Sequence, residues 1–221
     1  MFDRLAPRYD LLNSLFSMDR DRAWRRRAAR LAGLRPGDTA LDLCTGTGKL
    51  AHELLQYVRP GGQVIGIDFS QTMLKRAKER DPEVEFQAGD VTTLPYPDRS
   101  FQAVTIGFGL RNLVDRDRAL REMFRVLTPE GRVVILEFSP PRRGWLSRLY
   151  LAYLTRVMPA IAGLVNHSDA AAYHYLADSV RAFPSPIELT REMETAGFTD
   201  VGVQRMTFGV VSVHVGRRLM I

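Results

Sequence analysis

The chain has 221 residues, of which 45% are hydrophobic and 25% charged, with a formal net charge of +6. That length and balance suit a soluble globular protein with one substantial core and argue against a disordered or membrane-spanning chain. Its one cysteine, Cys44, excludes an internal disulfide and suits a reducing compartment, and the four histidines (His52, His167, His174, His214) lack metal-ligand spacing, so no metal site is expected. The first residues, MFDRLAPRYD, carry charge where a secretory leader needs an apolar stretch, so a cytoplasmic protein is expected. The basic balance fits a polyanionic partner or an anionic membrane surface.

Residues 1–33 read as a helical segment rich in arginine, with Arg20, Arg22, Arg25, Arg26, Arg27 and Arg30, while Trp24, Ala28 and Leu31 recur at helical spacing. Its basic face either is simply solvated or rests on anionic headgroups, and it lacks the interleaved aromatics of a single-stranded nucleic-acid platform. From Arg35 onward, strands and helices alternate. Strands are predicted at Thr39 to Leu43, Gln63 to Asp68, Val84 to Gln87, Ala103 to Ile106 and Arg132 to Phe138. Between them lie helices from Lys49 to Val58, Gln71 to Arg80 with Ser70 as N-cap, and Asp117 to Leu127. Such alternation predicts a parallel sheet covered on both faces, with ligands outside the carboxyl ends of the strands. Residues 140–183 break the rhythm. Trp145 to Val165 is apolar but interrupted by Arg148, Arg156 and Pro159, which reads as a packed helical lid or a membrane-touching pair of helices rather than a span. A helix from Pro186 to Ala196 and two strands, Val201 to Met206 and Val210 to Val215, close the chain as an antiparallel hairpin. Residues 1–221 thus read as one domain carrying an N-terminal helical segment and a lid insertion.

The chemistry concentrates in LDLCTGTGKLA, Leu41 to Ala51. A strand that breaks into a turn at Gly46 and Gly48 and then starts a helix leaves backbone N–H groups facing any ligand that approaches the glycines. Asp68, about 20 residues beyond, stands where an acidic side chain usually meets a ribose. The motif by itself fits a dinucleotide as well as S-adenosylmethionine. A dinucleotide domain needs a second βαβ half, whereas here five parallel strands end in a reversed hairpin. That is the arrangement of the class I S-adenosylmethionine-dependent methyltransferases, an α/β, Rossmann-like, mostly parallel sheet. Asp42 ahead of the glycines and Asp90 after the third strand agree with that cofactor.

Further stretches resemble the menaquinone and ubiquinone C-methyltransferase family, which methylates a ring carbon of polyprenylated quinol precursors. They are YDLLN with Trp24-Arg25-Arg26, LDLCTGTG, PYPDRSF, the run from Gly107 to Pro141 containing FGLRN and LEFS, then YHYLADSV, FPSP and AGFTDV. The resemblance implies cofactor contacts at Thr47, Asp68, Asp90 and Val91. A further family contact, usually a serine, falls on Gly107, so its side-chain bond is lost or replaced by backbone. It also implies that Asn112 and Tyr9 bond the ring oxygens.

Methyl transfer to carbon needs an electron-rich acceptor, so the expected substrate is the reduced quinol. Arg111 follows the fourth strand. Arginine stays protonated, so it either stabilises a phenolate or orients a water, or it merely caps a surface loop. Two rivals weigh against this reading. An amino-group methylase of nucleic acid needs an Asn/Asp-Pro-Pro-aromatic tetrad where this chain has Gly107-Phe108-Gly109-Leu110, so no nucleic-acid partner is expected. A non-catalytic assembly subunit has no need of Asp42, Asp68 and Asp90 together. Peripheral contact with the inner face of a membrane and a homodimer complete the expected associations.

Overall fold

Short β-branched runs alternating with amphipathic stretches build a three-layer α/β structure, seen here in a computed structural model. It describes residues 20–139 and 170–219, with residues 144, 145, 148 and 152 between them. Tyr9 and His167, most of the lid insertion and the front of the N-terminal segment lie outside the described residues.

The elements in chain order are α1 (Arg20–Leu31), β1 (Thr39–Leu43), α2 (Lys49–Val58), β2 (Gln63–Asp68), α3 (Gln71–Arg80), β3 (Glu85–Ala88) and β4 (Phe101–Gly107). A 3-10 turn (Leu110–Asn112), α4 (Arg116–Val126), β5 (Leu127–Phe138), α5 (Ala170–Ala182), α6 (Pro186–Thr195), β6 (Thr199–Met206) and β7 (Val211–Arg217) follow. The seven strands lie in the order β3-β2-β1-β4-β5-β7-β6. Strands β1 to β5 run parallel, with Leu41 opposite Ile65 and Val104. The returning β7 pairs antiparallel with both β5 and β6, His214 standing opposite Ile135 and Val203. The expected hairpin is therefore present, and its second strand is the inner one.

Helices cover both faces. Trp24 and Ala28 of α1, Leu50 and Leu54 of α2, and Leu74 and Ala77 of α3 form one apolar layer. Leu120 and Met123 of α4 and Leu189 and Met193 of α6 form the other. The helix starts use local chemistry: Ser70 accepts the Met73 N–H at 3.2 Å, and Asp115 accepts that of Arg118 at 2.9 Å. Ser185 and Glu188 form a reciprocal capping box ahead of α6, with Pro186 at its first position.

One element departs from expectation. The loop expected at Thr128 to Gly131 lies within β5, because Leu127 already pairs with Phe101 while Arg132 pairs with Ala103. The residues between are looped out of the ladder and held by Arg218, whose carbonyl accepts the Glu130 N–H at 2.7 Å.

Candidate functional site

Gly46, Asp68, Asp90, Val91, Gly107 and Asn112 meet beyond the carboxyl ends of β1, β2, β3 and β4, where the strand-to-helix connections open a cavity of about 760 Å³. Cys44, Gly46, Asp68, Phe69, Met73, Asp90, Val91, Gly107 and Asn112 are among the residues that line it. The loop after β1 takes left-handed backbone at Cys44 (φ 49), Gly46 (φ 56) and Gly48 (φ 77). A Cβ at Gly46 would meet nothing within 4 Å, so the backbone there stands open to a ligand.

The loop is fixed from three sides. The Thr45 N–H bonds the Ile67 carbonyl of β2 at 2.9 Å. Asp68 accepts the Gly46 N–H on Oδ2 at 2.8 Å and the Ser70 N–H on Oδ1 at 2.9 Å, tying the loop to the start of α3. From the end of α3, Arg80 Nη1 donates to the Thr47 carbonyl at 2.8 Å and to its hydroxyl at 3.1 Å. Thr47 and Gly48 therefore belong to the loop's outer support, whereas Gly46 and Asp68 form cavity wall.

Asp42 departs from the expectation that it meets the cofactor. It is 1% exposed, and strand alternation turns it away from Leu41 and Leu43 and under the first turn of α2. Its Oδ2 accepts the Thr45 hydroxyl and its Oδ1 the Thr105 hydroxyl, both at 2.6 Å. The backbone of Ala51, within that first turn, also donates to it. Gly48 offers α2 no capping side chain, so the buried carboxylate serves the helix from below. Burial raises its pKa from 3.8 to about 6, against the lowering pull of Thr105, Thr45 and the Arg25 charge. A folded pKa above the unfolded one means that the folded chain takes up this proton first as the pH falls. The associated stabilisation is absent above about pH 6 and grows as the pH drops toward 3.8. Relative to Asp42→Asn, the parent chain is expected to gain about 2 kcal/mol between pH 7 and pH 4, read by urea unfolding of both at each pH.

Asp90 is exposed and accepts the Thr92 N–H and hydroxyl on Oδ1, both at 2.8 Å, which hold its carboxyl below the usual range. Val91 is buried beside it in the cavity wall. At Gly107 a Cβ would stand 3.2 Å from Leu50 Cδ2, a tight contact from which Leu50 would have to give slightly. Burial, helped by the charges of Asp68, Asp42 and Glu137, pushes the Cys44 thiol well up, which suits a small loop residue and not a nucleophile.

The turn after β4 carries Arg111 and Asn112. Arg111 is not part of the cavity wall: its side chain is 6% exposed, and Nη1 donates to the Phe108 carbonyl at 2.6 Å and to Glu137 Oε1 at 2.7 Å. Glu137 is fully buried and also accepts the backbone N–H of Arg111 at 3.3 Å and its own neighbour Phe138's at 2.9 Å. Asn112 faces the cavity, and the Tyr175 hydroxyl of α5 donates to its Oδ1 at 3.2 Å. Behind the turn, Trp24, Phe108 and Phe138 pack together, with 4.6 Å between the Phe108 and Phe138 ring centres. The Arg25 guanidinium lies 5.2 Å from the Phe108 centre, and Asp21 Oδ2 accepts from Arg25 at 2.7 Å and Lys49 at 3.4 Å. Arg25 is buried, so it is not one of the solvated arginines of α1.

Glu137, Thr105 and Tyr175 are the residues that sequence reasoning missed. Glu137 carried a signal as an acid within the apolar run VVILEF, and Tyr175 lies within the YHYLADSV stretch, though neither pointed to a role. Among the histidines, His52 is an exposed partner of Asp81 at 2.9 Å. His214 is buried, is pushed toward its neutral form by that burial, and lies 3.0 Å from the Pro186 carbonyl. No cluster of metal-ligating side chains occurs among the described residues.

The sheet order, the reversed β7 and the cavity beyond β1 and β2 define the class I methyltransferase fold. A methyltransferase from Aquifex aeolicus shares it at 20% identity and a TM-score of 0.63, covering 88% of this chain and 89% of that one. A methyltransferase from Thermotoga maritima, titled a possible histamine N-methyltransferase, shares it at 20% identity and a TM-score of 0.71, covering 98% of each chain. The sequence goes further: the chain belongs to the ubiE/COQ5 methyltransferase family, matched over residues 1–218. It is 47% identical to a demethylmenaquinone methyltransferase of Thermus thermophilus over 222 residues, 99% of this chain and all of that relative. It is 42% identical to a ubiquinone/menaquinone biosynthesis C-methyltransferase of Geobacter sulfurreducens, over 99% of this chain and 87% of that relative.

Proposed function

We propose that this chain is an S-adenosylmethionine-dependent C-methyltransferase that converts demethylmenaquinol to menaquinol. The observation that carries the reading is the 47% identity, along the whole length of both chains, to the Thermus demethylmenaquinone methyltransferase. The cavity supports the cofactor, since open backbone at Gly46, a carboxylate at Asp68 and apolar walls at Phe69, Met73 and Val91 suit a nucleoside with a short amino-acid arm. In this reading Asp68 holds the ribose hydroxyls, Asp90 and Val91 the base, and the Gly46 to Gly48 loop the amino-acid arm.

When bound, S-adenosylmethionine supplies a methyl group on a sulfonium whose positive charge disappears as the methyl leaves. The protein therefore needs no strong acid, and its own work is alignment and the exclusion of water. The quinol is the electron-rich form of the acceptor, more so once a hydroxyl ionises. Asn112, on the cavity wall, and Tyr9 bond its ring oxygens. Arg111 acts through the turn: its contacts with Glu137 and the Phe108 carbonyl hold Asn112 against the cavity. The exposed Arg20, Arg22, Arg26 and Arg30 of α1 suit a peripheral hold on an anionic membrane, where a polyprenyl substrate resides. No described helix is long and apolar enough to cross a membrane.

The test is transfer of label from S-adenosylmethionine to chemically reduced demethylmenaquinol and to a 2-polyprenyl-6-methoxy-benzoquinol, with the oxidised quinones as controls. Label on the naphthoquinol alone is the expected result. Label on both widens the enzyme to two rings, and no label on either overturns the acceptor assignment.

A further inference from the structure

Tyr175 sits on α5, whose sequence carries no catalytic motif, yet its hydroxyl reaches Asn112 on the cavity wall at 3.2 Å. Asn112 has little freedom to answer by moving. Its backbone N–H bonds the Gly109 carbonyl at 3.0 Å, and the preceding Arg111 is pinned to Glu137. What remains adjustable is the amide itself, whose oxygen accepts and whose NH2 donates. A phenol that donates to the oxygen leaves the NH2 group as the end of the amide that can donate elsewhere.

We propose that Tyr175 is a positioning residue that fixes the Asn112 amide with its NH2 end toward the methyl acceptor. This rests on the quinol reading above. A donor aimed at a ring oxygen favours the ionised over the neutral hydroxyl, because a hydrogen bond to a charged acceptor is the stronger one. An amide free to rotate also presents its oxygen, which repels a phenolate. Tyr175 thereby links the placement of helix α5 to the ease with which the acceptor ionises.

The experiment is the pH–rate profile of methyl transfer to reduced demethylmenaquinol for the parent, Tyr175→Phe, Asn112→Ala and the double variant. In Tyr175→Phe, loss of one hydrogen bond that matters only while charge develops is expected to lower kcat about 5- to 20-fold, with S-adenosylmethionine affinity within about twofold of the parent. The limb along which the rate rises with pH is expected to move to higher pH, a change that mere loosening of α5 does not produce. In the Asn112→Ala background the same substitution is expected to add nothing further. If the parent methylates the quinol but Tyr175→Phe keeps its kcat and its pH limb, or if the two substitutions multiply, the proposal is overturned and the substrate reading stands. If the parent transfers no methyl to the quinol, both fall together.

Discussion

Glu137→Gln is expected to destabilise the folded chain by about 3–5 kcal/mol, the usual effect of removing one partner of a buried ion pair. The reason is where the charges lie. Glu137 is fully buried and the Arg111 guanidinium is 6% exposed beside it at 2.7 Å, so the surviving cation has no route to water. Arg111 also lies 5.3 Å from the Phe138 ring centre, which softens the loss without replacing a carboxylate. The double variant Arg111→Met/Glu137→Gln removes both charges and is expected to recover most of that stability. Methyl transfer is not expected to return with it, because the turn that presents Asn112 has lost its side-chain anchor. Urea unfolding of the parent and the two variants beside a turnover assay separates the two effects. A loss below about 1 kcal/mol in Glu137→Gln would show that the pair contributes nothing beyond a surface bridge.

Asp68→Ala is expected to weaken S-adenosylmethionine binding by about 10²- to 10⁴-fold, the equivalent of two hydrogen bonds to a charged group. The same carboxylate organises the site before any ligand arrives, through the Gly46 and Ser70 N–H groups. Its removal therefore loosens the loop as well as deleting a contact. Asp90→Ala is expected to have a smaller effect, near tenfold, since that side chain is exposed and bonds only its own turn at Thr92. Calorimetric titration of each variant measures this. An Asp68→Ala affinity within threefold of the parent would remove Asp68 from the cofactor reading.

The fold was legible because each βα unit announced itself locally. The Ser70 cap, the glycine loop and the alternation of apolar runs each fix an element without help from distant residues. Which hairpin strand lies inside was not legible: β7 alternates valine with Ser212, His214 and Gly216, the pattern of a half-exposed strand, yet nearly all of it is buried between β5 and β6. The place of Asp42 before the glycines suggests a residue that faces the ligand. Strand alternation alone argued otherwise, since Leu41 and Leu43 claim one face and leave Asp42 beneath α2. Glu137 and Tyr175 could not be assigned roles, because their partners lie 26 and 63 residues away and only the folded sheet brings them together.

The packing of Trp24 ties the helix before the first strand to the hairpin after the last helix. Its ring rests on Phe108 and Phe138, and its indole N–H donates to the Thr207 hydroxyl at 2.9 Å, across 183 residues. Arg27 repeats the link, donating to Gln204 at 2.7 Å. Helix α1 packs its apolar face on α2 and on Phe138 of β5, and the polar links to Thr207 and Gln204 add a clasp from the hairpin side. Contacts of such sequence separation form slowly, because the entropy of closing the intervening chain comes first. Removing β6 and β7 therefore leaves α1 packed but without that clasp.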